Sequence, residues 1–90
     1  MISIEIIVRG KVQGVWFRKY TQEYAMEHGL NGWVKNEQNG TVRIVAVGNS
    51  TSIDAFVKWC WKGSPKSHVE SVDFSEIEDS DLHDSFEIIL

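Results

Sequence analysis

The chain has 90 residues, 42% of them hydrophobic and 11% aromatic, which suits one small domain with a compact core and excludes a disordered chain. The formal net charge of −4 disfavours broad nucleic-acid binding, and no apolar run approaches the roughly 18 residues of a membrane span. Cys60 is the only cysteine, so neither an internal disulfide nor a cysteine metal cluster can form.

Residues 2–9 alternate. Ile2, Ile4, Ile6 and Val8 share one face and Ser3, Glu5, Ile7 and Arg9 the other, the pattern of a strand with one strongly apolar side. The start carries no basic segment ahead of an apolar one, so a cytoplasmic chain is expected. Gly10 and Gly14 then mark a loop. From Phe17 to His28 the spacing turns helical, with Phe17, Tyr20 and Tyr24 recurring at three and four and Gly29 as the stop.

Leu30–Asn36 and Thr41–Gly48 read as two strands joined through Asn39-Gly40, a hairpin signal because both residues accept positive φ. Thr51–Lys62 is predicted to be a helix, with Ile53, Phe56, Val57, Cys60 and Trp61 on its apolar stripe and Trp59 off it. Thr51 with Asp54 resembles a capping box, and Gly63 and Pro65 end the helix. Val69–Ile77 is a fourth strand, Glu78–Ser85 a polar loop, and Phe86–Leu90 a short final edge strand. The order is βαββαβ with an added β. Right-handed crossovers then place both helices on one face of an antiparallel sheet, giving a single α+β domain over residues 1–90 with a ferredoxin-like sandwich. Such a fold hosts many activities, so function must come from a site.

Charge is uneven along the chain. Residues 1–66 carry a net +4 and residues 67–90 a net −8, and between Arg9 and Lys19 there are four cations and no acid. A small anion is drawn to that segment. There the first strand passes to the first helix through a glycine-bearing loop. Its backbone N–H groups can form a nest, and a helix N-terminus adds free N–H groups and partial positive charge. Arg18 stands at the start of the helix, with a planar head able to grip two phosphoryl oxygens. A strand–helix connection also needs glycines for its own sake, and Arg18 then reads as a solvated surface charge. The phosphate-loop pattern ending in Gly-Lys-Ser/Thr and the dinucleotide glycine triplet are both absent.

Gly10, Val12, Gln13, Gly14, Val15, Phe17 and Arg18 match Gly-x-Val-Gln-Gly-Val-x-Phe-Arg, and Gly32, Trp33, Val34 and Asn36, then Gly40 and Val42, match Gly-aromatic-Val-x-Asn with a following Gly-x-Val. In both segments the chain resembles the acylphosphatase family, and the likeness covers nearly its whole length. The resemblance implies a metal-independent hydrolase without a cofactor that splits acyl phosphates into carboxylate and inorganic phosphate. It places the catalytic arginine on Arg18 and the water-positioning asparagine on Asn36. The phosphate cradle falls on the loop amides of Gln13, Gly14, Val15, Trp16, Phe17 and Arg18. A small-molecule substrate is expected, with no nucleic-acid or membrane partner, and a monomer. The family's later Gly-Pro turn is altered to Gly63-Ser64-Pro65, away from the expected chemistry. The alternative is a module that binds phosphate or carbamoyl phosphate without turnover.

Among other residues, His28, His68 and His83 lie outside both motifs and suit surface or helix-end roles, and Cys60 suits the core. Trp16 is a candidate for the pocket mouth. Glu76, Glu78, Asp79, Asp81 and Asp84 lack the calcium-loop pattern and read as a solvated acidic loop.

Overall fold

The structure, a computed structural model, describes residues 1–78 and 83–90. Seven elements follow in order: β1 (Ile2–Lys11), α1 (Phe17–Glu27), β2 (Asn31–Asn36), β3 (Val42–Gly48), α2 (Ser50–Lys62), β4 (His68–Glu76) and β5 (Phe86–Ile89). They form one five-stranded sheet in the order β4-β1-β3-β2-β5. The expected ferredoxin-like layering is present, with one qualification: β5 pairs with β2 in parallel, so the sheet is mixed rather than wholly antiparallel. The cause is connectivity. An edge strand reached from β4, on the far side of the sheet, can run either way, whereas the β2–β3 hairpin must reverse.

Alternation in β1 sets which face is covered. Ile4, Ile6 and Val8 are buried with Val34, Val42, Ile44 and Ala46 of the neighbouring strands, against Phe17 and Ala25 of α1 and Ile53, Phe56 and Cys60 of α2. On the other face Glu5 accepts from Arg43, with the Arg43 Nε at 2.9 Å, and the Arg43 guanidinium lies over the Trp33 ring.

Element boundaries differ from expectation where side chains could be satisfied better. β1 runs on through Gly10 and Lys11, so these two extend the strand instead of opening the loop; Gly10 absorbs a bulge against β4. The inner row of α1 is Phe17, Thr21 and Ala25, while Tyr20 is largely exposed. Thr21 can sit inside because its hydroxyl donates to the Phe17 carbonyl at 2.7 Å. At the start of α2 the expected Thr51 cap is replaced by Asn49, whose side-chain oxygen accepts from the Ser52 N–H at 2.8 Å. Asparagine is the better cap, so the helix begins earlier and Thr51 falls inside it.

The two tryptophans of α2 exchange their expected roles. Trp61 is exposed, and Trp59 packs on the core beside Phe17, Tyr24 and Phe56. Both flank the apolar stripe; α1 lies on the Trp59 side and covers only that flank. The expected acidic loop falls partly on residues 79–82, outside the described residues.

Candidate active site

The loop between β1 and α1 is built by two residues with positive φ, Gly14 at 74° and Trp16 at 64°. Glycine takes such an angle freely; a tryptophan there is held against its steric preference, and it is the only non-glycine so placed among the described residues. Trp16 is also the N-cap of α1, and it gives the helix no side-chain cap. Among the described residues no backbone acceptor takes the N–H groups of residues 13–19. The loop therefore ends in a helix N-terminus whose free donors and partial positive charge suit an oxyanion.

These donors open on a cleft of about 490 Å³ that Gly14, Trp16, Phe17 and Arg18 share with Asn36 of β2. Two segments distant in sequence thus meet. β2 and β1 are separated only by β3, and α1 lies over β2, so the end of β2 is carried to the mouth of the loop. Asn36 lies on the same face of the strand as Gly32 and Val34, which are buried. Its side-chain oxygen is buried and has no hydrogen-bond donor among the described residues. An acceptor left in that state costs about 1–3 kcal/mol, and a water or ligand proton removes the cost. Arg18 is half-buried and, among the described residues, without an ion-pair partner.

The expected cradle residues divide by what their side chains do. Phe17 and Val15 are buried and anchor the loop, leaving their backbone N–H groups available. The Gln13 amide is committed elsewhere: its Nε2 donates to the carbonyls of Glu37 at 2.7 Å and Thr41 at 2.8 Å. It ties the loop to the β2–β3 turn, directly after Asn36. Only its backbone N–H remains for a ligand.

One expectation is corrected. The Gly63-Ser64-Pro65 turn does not lie away from the site. Ser64 is buried, and its hydroxyl donates to the Val15 carbonyl at 2.7 Å. Gly63, at φ 65°, lets the chain pass, because a Cβ there would run into the Phe17 ring and the Ser67 hydroxyl. The turn props the loop from beneath. Composition gave no sign of it; the signal available was a serine between a glycine and a proline at a helix end.

No histidine lines the cleft; His28 stacks on Tyr24 and bonds its carbonyl at the end of α1. Burial pushes the Cys60 thiol far above its ordinary range, so it stays protonated inside the core. Among the described residues no group of three His, Cys, Asp or Glu could hold a metal, and no helix is long and apolar enough to cross a membrane.

The acylphosphatase family model matches residues 4–88. An acylphosphatase from Rhizorhabdus wittichii is 47% identical over 75 residues, covering 83% of this chain and 76% of that one. Another from Shewanella amazonensis is 40% identical over 88 residues, covering 98% and 97%. The crystal structure of an acylphosphatase from Bacillus subtilis superposes with a TM-score of 0.95 at 39% identity, covering 100% of both chains. The chain belongs to the acylphosphatase family.

Proposed function

We propose that this chain, as an acylphosphatase-family member, hydrolyses acyl phosphates, with Arg18 and the loop amides holding the phosphoryl group and Asn36 aiming the water. The observation that carries this reading is the buried, unpartnered side-chain oxygen of Asn36 on the same cleft as Arg18 and the N-terminus of α1.

An acyl phosphate is a mixed anhydride whose leaving group is a carboxylate, the conjugate base of an acid with a pKa of about 4 by analogy with side-chain carboxyls. It departs without a general acid. Phosphoryl transfer passes through a loose transition state, so placement and charge stabilisation supply most of the catalysis. The guanidinium fork of Arg18 and the free amides take the equatorial oxygens as charge spreads over them. The Asn36 oxygen accepts a hydrogen bond from a water and so points the water's lone pair at phosphorus, in line with the bond to the acyl oxygen. The water oxygen bonds to phosphorus, the phosphorus–oxygen bond to the acyl group breaks with its electron pair leaving on the carboxylate, and the water's proton passes to a phosphate oxygen. In this reading no metal or cofactor takes part, and the chain acts as a cytoplasmic monomer on a small molecule.

Hydrolysis of benzoyl phosphate with a chelator present tests the proposal. Wild type is expected to turn over. Asn36→Ala should lose about 10²–10³-fold in kcat while still binding inorganic phosphate, as when one transition-state contact is removed. Arg18→Lys should also fail, because an ammonium does not replace a fork. Wild-type turnover in Asn36→Ala would remove Asn36 from the mechanism. Phosphate binding without any turnover would favour the non-catalytic binding module.

A further inference from the structure

The phosphoryl chemistry engages only one end of the cleft. Its volume of about 490 Å³ falls within the range of roughly 300–1,000 Å³ typical of small-molecule sites, and much of the remaining wall is apolar. That wall is contributed by Trp16 on the loop side and by Ile88 and Leu90 on the β5 side.

β5 presents a stripe that leaves the core by degrees. Phe86 is buried, Ile88 is half-buried against the core, and Leu90 is fully exposed. The parallel register sets Ile88 beside Val34, so the stripe advances along β2 toward Asn36. Its position is fixed by bonds at its start: Gln22 Nε2 donates to the Phe86 carbonyl at 3.0 Å, and the Gly32 N–H to the Ser85 carbonyl at 2.9 Å. Across the cleft the Trp16 ring stands 72% exposed on a backbone that a bulky residue avoids. A conformation of that kind persists where the surroundings impose it, and such outliers gather at ligand sites. The remaining cation on this wall, Lys19, is half-exposed and lies 3.7 Å from Glu23 one helical turn on, a weak surface pair.

Building on the proposed function, we propose that Trp16 and the β5 stripe of Ile88 and Leu90 form the subsite for the acyl group, selecting acyl phosphates with an aromatic or alkyl acyl part over those bearing a second charge. An apolar acyl group sheds water between the Trp16 ring and Ile88 as the phosphoryl group docks on Arg18. A carboxylate in the same place must shed its water against apolar side chains, and once Arg18 holds the phosphoryl group the lining offers it only the half-exposed Lys19.

Affinities of non-hydrolysable phosphonates, with methylene in place of the bridging oxygen, test this independently of turnover. Phenacylphosphonate, acetonylphosphonate and a carboxylate-bearing counterpart are titrated by calorimetry into wild type, Ile88→Ala and Trp16→Gly. Wild type is expected to bind the phenacyl compound about tenfold or more tightly than the carboxylate-bearing one, in line with the discrimination that apolar pockets reach, with the smaller acetonyl compound between them. The preference should fall to within about threefold in the variants, since each removes one apolar wall. Ile88 touches the core, so its variant carries a folding risk. Trp16→Gly does not share it, because glycine accepts the left-handed angle. Equal affinities in wild type, or a preference unchanged in both variants, would overturn the subsite. Benzoyl and acetyl phosphate turnover, measured alongside, separates the two ideas: absent turnover with an intact phenacyl preference sinks the catalytic reading alone.

Discussion

Ser64 shows how one hydroxyl can support a site it does not line. Its bond to the Val15 carbonyl lies entirely inside the protein, so removing it strands an acceptor under the loop. Ser64→Ala is expected to cost about 1–3 kcal/mol of stability in a chemical denaturation curve. It should also weaken inorganic phosphate binding, because the loop loses its prop. A variant with unchanged stability would show that the bond adds nothing. Cys60 has the opposite character, buried and unreactive. Its thiol pKa is raised in the folded state, so the folded protein keeps a proton that the unfolded chain releases once pH passes about 8.5. Above that pH the unfolded state binds fewer protons than the folded one, and stability falls by up to about 1.4 kcal/mol per pH unit from this group. The stability gap between wild type and Cys60→Ala should therefore close as pH rises from 8 to 10, by about 1–2 kcal/mol. A constant gap across that window would contradict the burial effect.

At the scale of elements, the site depends on ties between neighbours that the chain order keeps apart. Gln13 joins the loop to the turn after β2, through the Glu37 and Thr41 carbonyls. The residue before Glu37 is Asn36, so the same tie sets the spacing between the two halves of the site. Gln13→Ala should lower kcat more than it weakens phosphate binding, since the cradle amides survive while the water-aiming side chain drifts. A small misplacement of that kind can cost about 10²-fold in rate. Steady-state kinetics with inorganic phosphate as inhibitor separates the two effects. If both change equally, Gln13 acts on the cradle alone. The α2 cap teaches a related lesson. Asn49 and Thr51 both offer a side-chain oxygen, and the choice between them moved the helix start without disturbing its buried face of Ile53, Phe56 and Cys60.

For the whole molecule, the charge and hydrogen-bond chemistry of the cleft predicts how activity follows pH. Neither an arginine nor an amide side chain changes charge in the neutral range, and no histidine lines the cleft. Turnover of an acyl phosphate should thus vary little from about pH 5 to 8, apart from ionisation of the substrate itself. A pH–rate profile with a sharp bell centred on a histidine-like pKa would contradict the proposed mechanism.

Much of this is legible in the sequence. Period-two alternation in residues 2–9, β-branched residues in 42–47 and three- and four-residue spacing in 51–62 fix element types, because side-chain direction follows backbone geometry closely. Local patterns marked the β1–α1 loop with Arg18 as a possible anion site, the resemblance of two short motifs to the acylphosphatase family added Asn36, and the structure brings Arg18 and Asn36 to one cleft. Local patterns do not carry what depends on a distant neighbour. Trp59 and Trp61 flank the same stripe symmetrically, and only the position of α1 buries one of them. The parallel pairing of β5, the strap from Gln13, the Ser64 prop and the unpartnered oxygen of Asn36 all arise between segments far apart in the chain. The sequence by itself determined the elements and the residue types available for chemistry, since those follow from each residue's own geometry and its near neighbours. The tertiary structure alone decided which of those residues face one another, which are already bonded, and which remain free to meet a ligand.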